Sequence, residues 1–330
     1  MNERELQDAV DRLPKSIEPP RDLWPGIEAR LGRRRPRRLW YSLPLAAAAV
    51  LVGIWLVRGQ PAAWDVTALA GRPLVGTARL AASGRLRVGD WVQTDDSSRA
   101  LIAVGRIGQV EVQPKTRLQL VVARADEHRL ALARGRIDAT VDAVPRLFFV
   151  ETPSGTAIDL GCAYTLETDS LGNGRLHVTR GEVEFDAPAG TGVPSSRVPL
   201  GAIMQTRPKL RPGIPYVDDA PAPLVRALVA FDFEKGRARA ARTVVTLARA
   251  QDALSLWHLM QRVHPTLRGM VYDRLATLVP PPPGVTRRGA IALRSRDLEG
   301  YWTKIHQIQF RRMVLKGVRE VDPRTGTTKH

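Results

Sequence analysis

From residue 69 to about residue 217 the chain alternates apolar and polar positions with a period of two, interrupted by glycine-containing turns. Val110 and Val112, then Leu118, Leu120 and Val122, then Leu130 and Leu132, and then Ile137 and Val141 each put one face of a short strand in a core. Many short strands at close spacing predict an all-β domain over 69–217. The plainest hairpin runs out through Tyr164, Leu166 and Thr168, turns at Leu171-Gly172-Asn173-Gly174, and returns through Leu176, Val178, Val183 and Phe185. Its Asn173-Gly174 pair supplies the positive φ angles of a tight turn. Pro194, Pro199, Pro208, Pro212 and Pro215 then crowd the chain, and the sheet is expected to fade there because proline donates no ladder hydrogen bond.

Near Pro221 the period becomes helical. Leu224, Leu228 and Phe231, then Val244, Val245 and Leu247, then Leu254, Trp257 and Met260, and then Met270, Leu275 and Leu278 keep helical spacing, with breaks at His264-Pro265 and at Pro280 to Pro283. Trp302, Ile305 and Ile308 predict one last helix before a polar tail, and Asp252 and Thr286 are candidate N-caps. Residues 218–330 therefore read as an α-helical domain. At the other end, residues 1–38 read as two short helices split by Pro14 and Pro19-Pro20. Leu6, Val10 and Leu13 mark the first. Leu23, Trp24, Ile27 and Leu31 mark the second, with Asp22 as its N-cap and Pro25 in its first turn. Helices this short are marginal alone, so the Leu23, Trp24, Ile27 and Leu31 face is a candidate partner-binding surface.

Between these parts, residues 39–57 carry no charge, and 19 residues of helix span roughly 28 Å, close to a bilayer core of roughly 30 Å. Trp40, Tyr41 and Trp55 stand at the ends, where aromatic side chains settle among headgroups. Arg33, Arg34, Arg35, Arg37 and Arg38 precede this run, against Arg58 behind it. The positive-inside rule then predicts an uncleaved single-pass helix, a cytoplasmic N-terminus, a connector at 58–68 and export of 58–330 to the periplasmic side of an inner membrane.

Composition narrows the chemistry. Of the 330 residues, 44% are hydrophobic and 25% charged, as in a folded chain of about two domains rather than a disordered one. The one cysteine, Cys162, excludes an intramolecular disulfide and a multi-cysteine metal cluster, and burial as a small apolar residue is its expected role. The net charge of +17 is concentrated in residues 235–330, where 19 basic side chains face 6 acidic ones. Such a segment attracts polyanions, and outside the cytoplasm these are lipid headgroups or cell-wall polymer, so no direct contact with nucleic acid is expected.

No HExxH, CxxC, GxSxG or complete phosphate loop occurs, which selects no enzyme, metal or cofactor. Asp95-Asp96 sits in a Thr-Asp-Asp-Ser-Ser turn, where aspartate bonds its own backbone. His258 and His264 flank a helix break and are expected to face solvent or a local contact.

Gly89-Asp90-Trp91-Val92-Gln93-Thr94, Thr152-Pro153-Ser154-Gly155-Thr156-Ala157, Gly161-Cys162-Ala163-Tyr164 and Thr179-Arg180-Gly181-Glu182-Val183 occur in order and resemble the landmarks of the FecR domain over roughly 69–205. The chain departs at two landmarks, with Cys162 where the family has threonine and Tyr164 where it has phenylalanine. The resemblance implies a regulator with no catalytic role. FecR-like proteins are typically single-pass inner-membrane proteins whose cytoplasmic tail contacts an extracytoplasmic-function sigma factor and whose periplasmic part receives a signal from an outer-membrane transporter. The tail here is shorter than the usual sigma-binding segment, and with no His or Cys before residue 128 it excludes a zinc-containing anti-sigma fold. The expected architecture is a mainly β exported domain, one transmembrane helix and an α-helical C-terminal domain. The expected role is signal relay to a sigma factor, and the alternative is an envelope scaffold that binds cell wall or another envelope protein.

Overall fold

Alternation of apolar side chains becomes seventeen strands among the residues described by this computed structural model, 63–188 and 195–315. The first set is β1 (Ala63–Ala70), β2 (Leu74–Val75), β3 (Ala78–Arg79), β4 (Ser83–Arg87), β5 (Trp91–Gln93), β6 (Arg99–Val104), β7 (Gly108–Val112) and β8 (Arg117–Arg124). A 15-residue strand, β9 (Glu127–Val141), follows. The second set is β10 (Phe148–Thr152), β11 (Gly155–Asp159), β12 (Ala163–Thr168), β13 (Gly174–Arg180), β14 (Glu182–Asp186), β15 (Ser196–Pro199), β16 (Ala202–Thr206) and β17 (Tyr216–Val217).

Two sheets share β9. One runs β4-β1-β6-β7-β9-β12-β13-β16-β17 and is antiparallel throughout. The other runs β3-β2-β5-β8-β9-β10-β11-β14-β15, with its only parallel pair at β9–β10. The first half of β9, through Leu130 and Leu132, serves the second sheet, and the half carrying Ile137 and Val141 serves the first. Gly135, at φ +98°, marks the change. A Cβ there would stand 2.4 Å from the Thr116 Cα, so only glycine fits. Apolar side chains of both sheets meet in one core that includes Val110, Leu118, Phe148, Tyr164, Leu176 and Phe185.

Several expectations change. The segment read as a connector, 58–68, supplies from Ala63 onward a strand that pairs with β4 and β6, because Trp64 and Val66 alternate into the core. The proline-rich stretch keeps its strands. Pro199 ends β15, whose one ladder partner is β14, and β16 lies between prolines and contains none. The hairpin β12–β13 forms in the expected register, but its left-handed residue is Gly172 at φ +83°, not Asn173 or Gly174. A longer loop is closed by the Asp169 carboxylate, which accepts from the Leu171 and Asn173 backbone N–H groups, both at 2.8 Å. Val183 and Phe185 do not continue β13; they lie on β14, across Gly181 and in the other sheet.

The helices that follow are α1 (Ala222–Phe233), α2 (Arg237–Leu247), α3 (Ala253–Arg262), α4 (Pro265–Leu278), α5 (Arg287–Ile291) and α6 (Ser295–Leu315). Thr286 caps α5 through its hydroxyl, as its side chain suggests. Asp252 stands at the N-cap of α3 but makes no cap bond there, because its buried carboxylate is taken by the Arg249 backbone N–H and guanidinium. Helix α3 is buried on nearly all sides, from Ala253 to Met260, as the central element of the helical layer. The tail at 1–38 and the uncharged run at 39–57 lie outside the described residues. Among the described residues no helix is long and apolar enough to cross a membrane.

Candidate functional site

Leu23, Trp24, Ile27 and Leu31, together with Arg33, Arg34, Arg35, Arg37 and Arg38, fall outside the described residues, so nothing here brings them together. What the structure does bring together is a polar seam where α1, α3 and α6 meet strand β15 and the loop after β16.

Two arginines organise it. The Arg262 guanidinium, at the C-terminal end of α3, donates to the Pro212 carbonyl at 2.7 Å and to the Ser196 hydroxyl at 2.5 Å, and lies 3.5 Å from Asp232 Oδ1 on α1. The other Asp232 oxygen accepts from the Ile214 backbone N–H at 2.6 Å. Arg262 is thus a rivet holding two helices, one strand and one loop. Arg197, next to Ser196 on β15, donates to Glu182 Oε1 at 2.8 Å and to Glu299 at 3.0 and 3.2 Å, while its guanidinium lies 4.1 Å from the centre of the Trp302 ring. Its carbonyl meets His258 Nε2 at 3.0 Å. A carbonyl only accepts, so that nitrogen carries the proton.

Burial sets the charges. It drives His258 well below the usual imidazole range, helped by the nearby Arg262 and Arg197 charges, so the ring is neutral at neutral pH. Burial also pushes Asp232 up to about 6 against the pull of Arg262, and pulls Arg262 down to about 10 against the pull of Asp232. His258 was expected to face solvent or a local contact. It is instead 3% exposed and wedged edge-on against Trp257 and Trp302, because the helix it occupies is buried all round. His264 does stay local, as the N-cap of α4.

A second cluster lies inside the β layers. Cys162 Sγ is 2.7 Å from Asp159 Oδ2, and Asp159 Oδ1 accepts from the Gly161 N–H at 2.7 Å. Burial lifts the Asp159 carboxyl to about 6, and burial plus the Asp159 charge push the Cys162 thiol far up, so the thiol is no nucleophile. Cys162 is buried as expected but is paired with a carboxylate and not purely apolar. Asp95 follows its turn chemistry, accepting from the Ser97 and Ser98 N–H groups, which hold it at about 2.

Neither cluster has the parts of an active site. Among the described residues no group of three or more His, Cys, Asp and Glu side chains is placed to hold a metal ion. What the seam can do is couple positions: a shift of β15 alters the contacts of Arg197, Arg262 and His258 at once. The sequence carried one overlooked signal for it. Asp232 interrupts the apolar pair Phe231 and Phe233, and His258 sits within Leu256 to Met260, so each is a polar residue in a run that should be buried.

Two crystal structures of a protein provisionally described as an anti-sigma factor from Parabacteroides distasonis are similar at 15% identity. The match covers 42% of this chain and 64% and 63% of theirs, at TM-scores of 0.34 and 0.33. The chain thus spans just under two thirds of their length, and so loose a superposition carries no conclusion about fold or activity. No curated protein matches. Residues 90–184, which run from just before β5 into β14 and include both Cys162 and Glu182, match the model of the family described as FecR protein.

Proposed function

We propose that this chain regulates a sigma factor from the membrane. The match of residues 90–184 to the FecR family carries this reading. The finer parts are our own: an anchor at 39–57, an N-terminus in the cytoplasm, residues 58–330 in the periplasm, and an extracytoplasmic-function sigma factor held on Leu23, Trp24, Ile27 and Leu31. An envelope partner, such as an outer-membrane transducer, biases the exported part between two states, and the anchor passes that bias to the tail. The seam supports this because a β domain locked to a helical one moves as a body and does not absorb the signal locally.

A pull-down from solubilised membranes tests the tail. The intact chain is compared with a Leu23→Asp, Trp24→Ala, Ile27→Asp variant, and bound proteins are identified by mass spectrometry. Recovery of a sigma factor by the intact chain alone is the expected result. Envelope proteins bound equally by both forms, with no sigma factor, overturn the relay and leave the envelope scaffold in its place.

A further inference from the structure

Helix α6 has two unlike faces. Tyr301, Trp302, Ile305, Gln309 and Met313 are buried against the rest of the helical layer. At 100° per residue the opposite arc carries Arg296, Lys304, Phe310, Arg311, Val314 and Leu315, all exposed. Phe310 is 49% exposed, Val314 55% and Leu315 87%, the greatest exposure among the large apolar side chains described. Both carboxylates of the helix are engaged elsewhere: Asp297 accepts from the Thr286 N–H and hydroxyl, and Glu299 takes Arg197. The arc, which Thr303 and Gln307 share, therefore shows cations and bare apolar groups, and neither of the helix's own two carboxylates is turned to these cations. Beside it opens a groove of about 710 Å³ lined by Leu278, Val279, Pro280 and Ile308, with Lys304, Arg311 and the Arg312–Asp219 ion pair also at its wall.

We propose that this outer face of α6 lies on the bilayer, with Arg296, Lys304 and Arg311 taking the headgroups of anionic phospholipid and Phe310, Val314 and Leu315 entering the acyl boundary. Cations flanking apolar tips on one convex helix are the pattern of an interfacial helix. Residues 235–330 add an excess of 19 basic over 6 acidic side chains, which draws the layer toward a negative surface. A protein partner would have to supply both a concave apolar surface and acids, whereas the chain itself supplies the bilayer. That last point rests on the anchored reading above.

The test uses the full chain carrying Phe310→Cys, labelled with an environment-sensitive nitrobenzoxadiazole probe. Cys162 is fully buried and does not compete for the label. The chain is mixed with vesicles of phosphatidylcholine alone or of phosphatidylcholine with phosphatidylglycerol, and flotation and emission are both read. Emission shifted to the blue and raised about twofold with the anionic vesicles, reversed by high salt and lost in Lys304→Glu/Arg311→Glu with unchanged thermal unfolding, is the expected outcome. Flotation with both vesicles while the label stays in water overturns the docking, leaves the anchor standing, and gives the face to an acidic protein. Equal blue shifts in both vesicles overturn the headgroup role. Flotation and a blue shift with anionic vesicles alone support the docking and remove the anchor.

Discussion

The β layers and the seam are both buried, yet they are held by opposite means. In the layers, Val110, Leu118, Leu176 and Phe185 are wholly enclosed by other apolar groups, and any of them contributes roughly in proportion to the surface it hides. At the seam, Arg262, Asp232 and His258 are enclosed with their polarity intact, so each is stable there only while its partners stay in place. An apolar core tolerates small displacements, but a buried charge does not. The seam therefore depends on where its partners stand, and the layers on the surface they hide.

Removing a seam cation should do the most damage. Arg262→Ala leaves the Asp232 carboxyl buried beside an emptied site, and denaturant unfolding should show a loss of about 3–5 kcal/mol. The paired change Arg262→Met with Asp232→Leu should recover most of it; failure to recover would mean that the bonds to Pro212 and Ser196 matter more than the charge. In the layers, Leu176→Ala should cost about 3 kcal/mol. Its effect on the fluorescence of Trp257 and Trp302, whose rings lie 4.8 Å apart at the seam, should be small below the unfolding transition, whereas Arg262→Ala should alter that fluorescence in the folded protein.

Acid separates the regions further. Asp159 rises from 3.8 to about 6 on folding, so its contribution is complete below the unfolded value and is lost as pH climbs through about 6. Lowering the pH from 7 toward 4 should stabilise the β layers through this group by on the order of 2–3 kcal/mol, and Asp159→Asn should abolish that gain in a thermal-unfolding series. His258 works the other way. Its folded pKa is depressed, so its contribution is present above the unfolded value and disappears as pH falls through the folded one. At the seam the two directions oppose, since Asp232, whose pKa is raised to about 6, favours acid, so the Asp159→Asn variant should show a much weaker acid stabilisation than the parent chain. The smallest expected effect is that of Gly172→Ala, about 1–2 kcal/mol, since the residue is left-handed and its new Cβ would stand 2.8 Å from the Pro153 Cβ.

Most of the layers was legible because alternation is a local property. Leu130 and Leu132, and Ile137 and Val141, face the core as their spacing requires, and the hairpin Tyr164 to Val178 keeps its register. Bulges were harder to see. The register slips between Leu120 and Val122, which leaves Val122 half-exposed and buries Ala123. The first strand was missed because Trp64 and Val66 follow a long uncharged run that dominates the reading of its neighbours. The seam was illegible for a different reason: Arg262 finds Ser196 across 66 positions and His258 finds Arg197 across 61, and no local pattern encodes a partner at such a distance. The helices themselves were plain from Leu224, Leu254, Trp257 and Ile305, while the neutral histidine among them was not.

The sharing of β9 between the sheets fixes how the β domain can come apart. Neither sheet can be completed until this strand is placed, and it lies against β7 and β12 with one half and β8 and β10 with the other. Separate melting of the two sheets would require β9 to be released from one while held by the other, with the strand divided at Gly135. The amides of Leu130 and Ala139 should thus lose deuterium protection in the same opening event, as one cooperative unit, and a break in the chain near Gly135 should turn that single event into two.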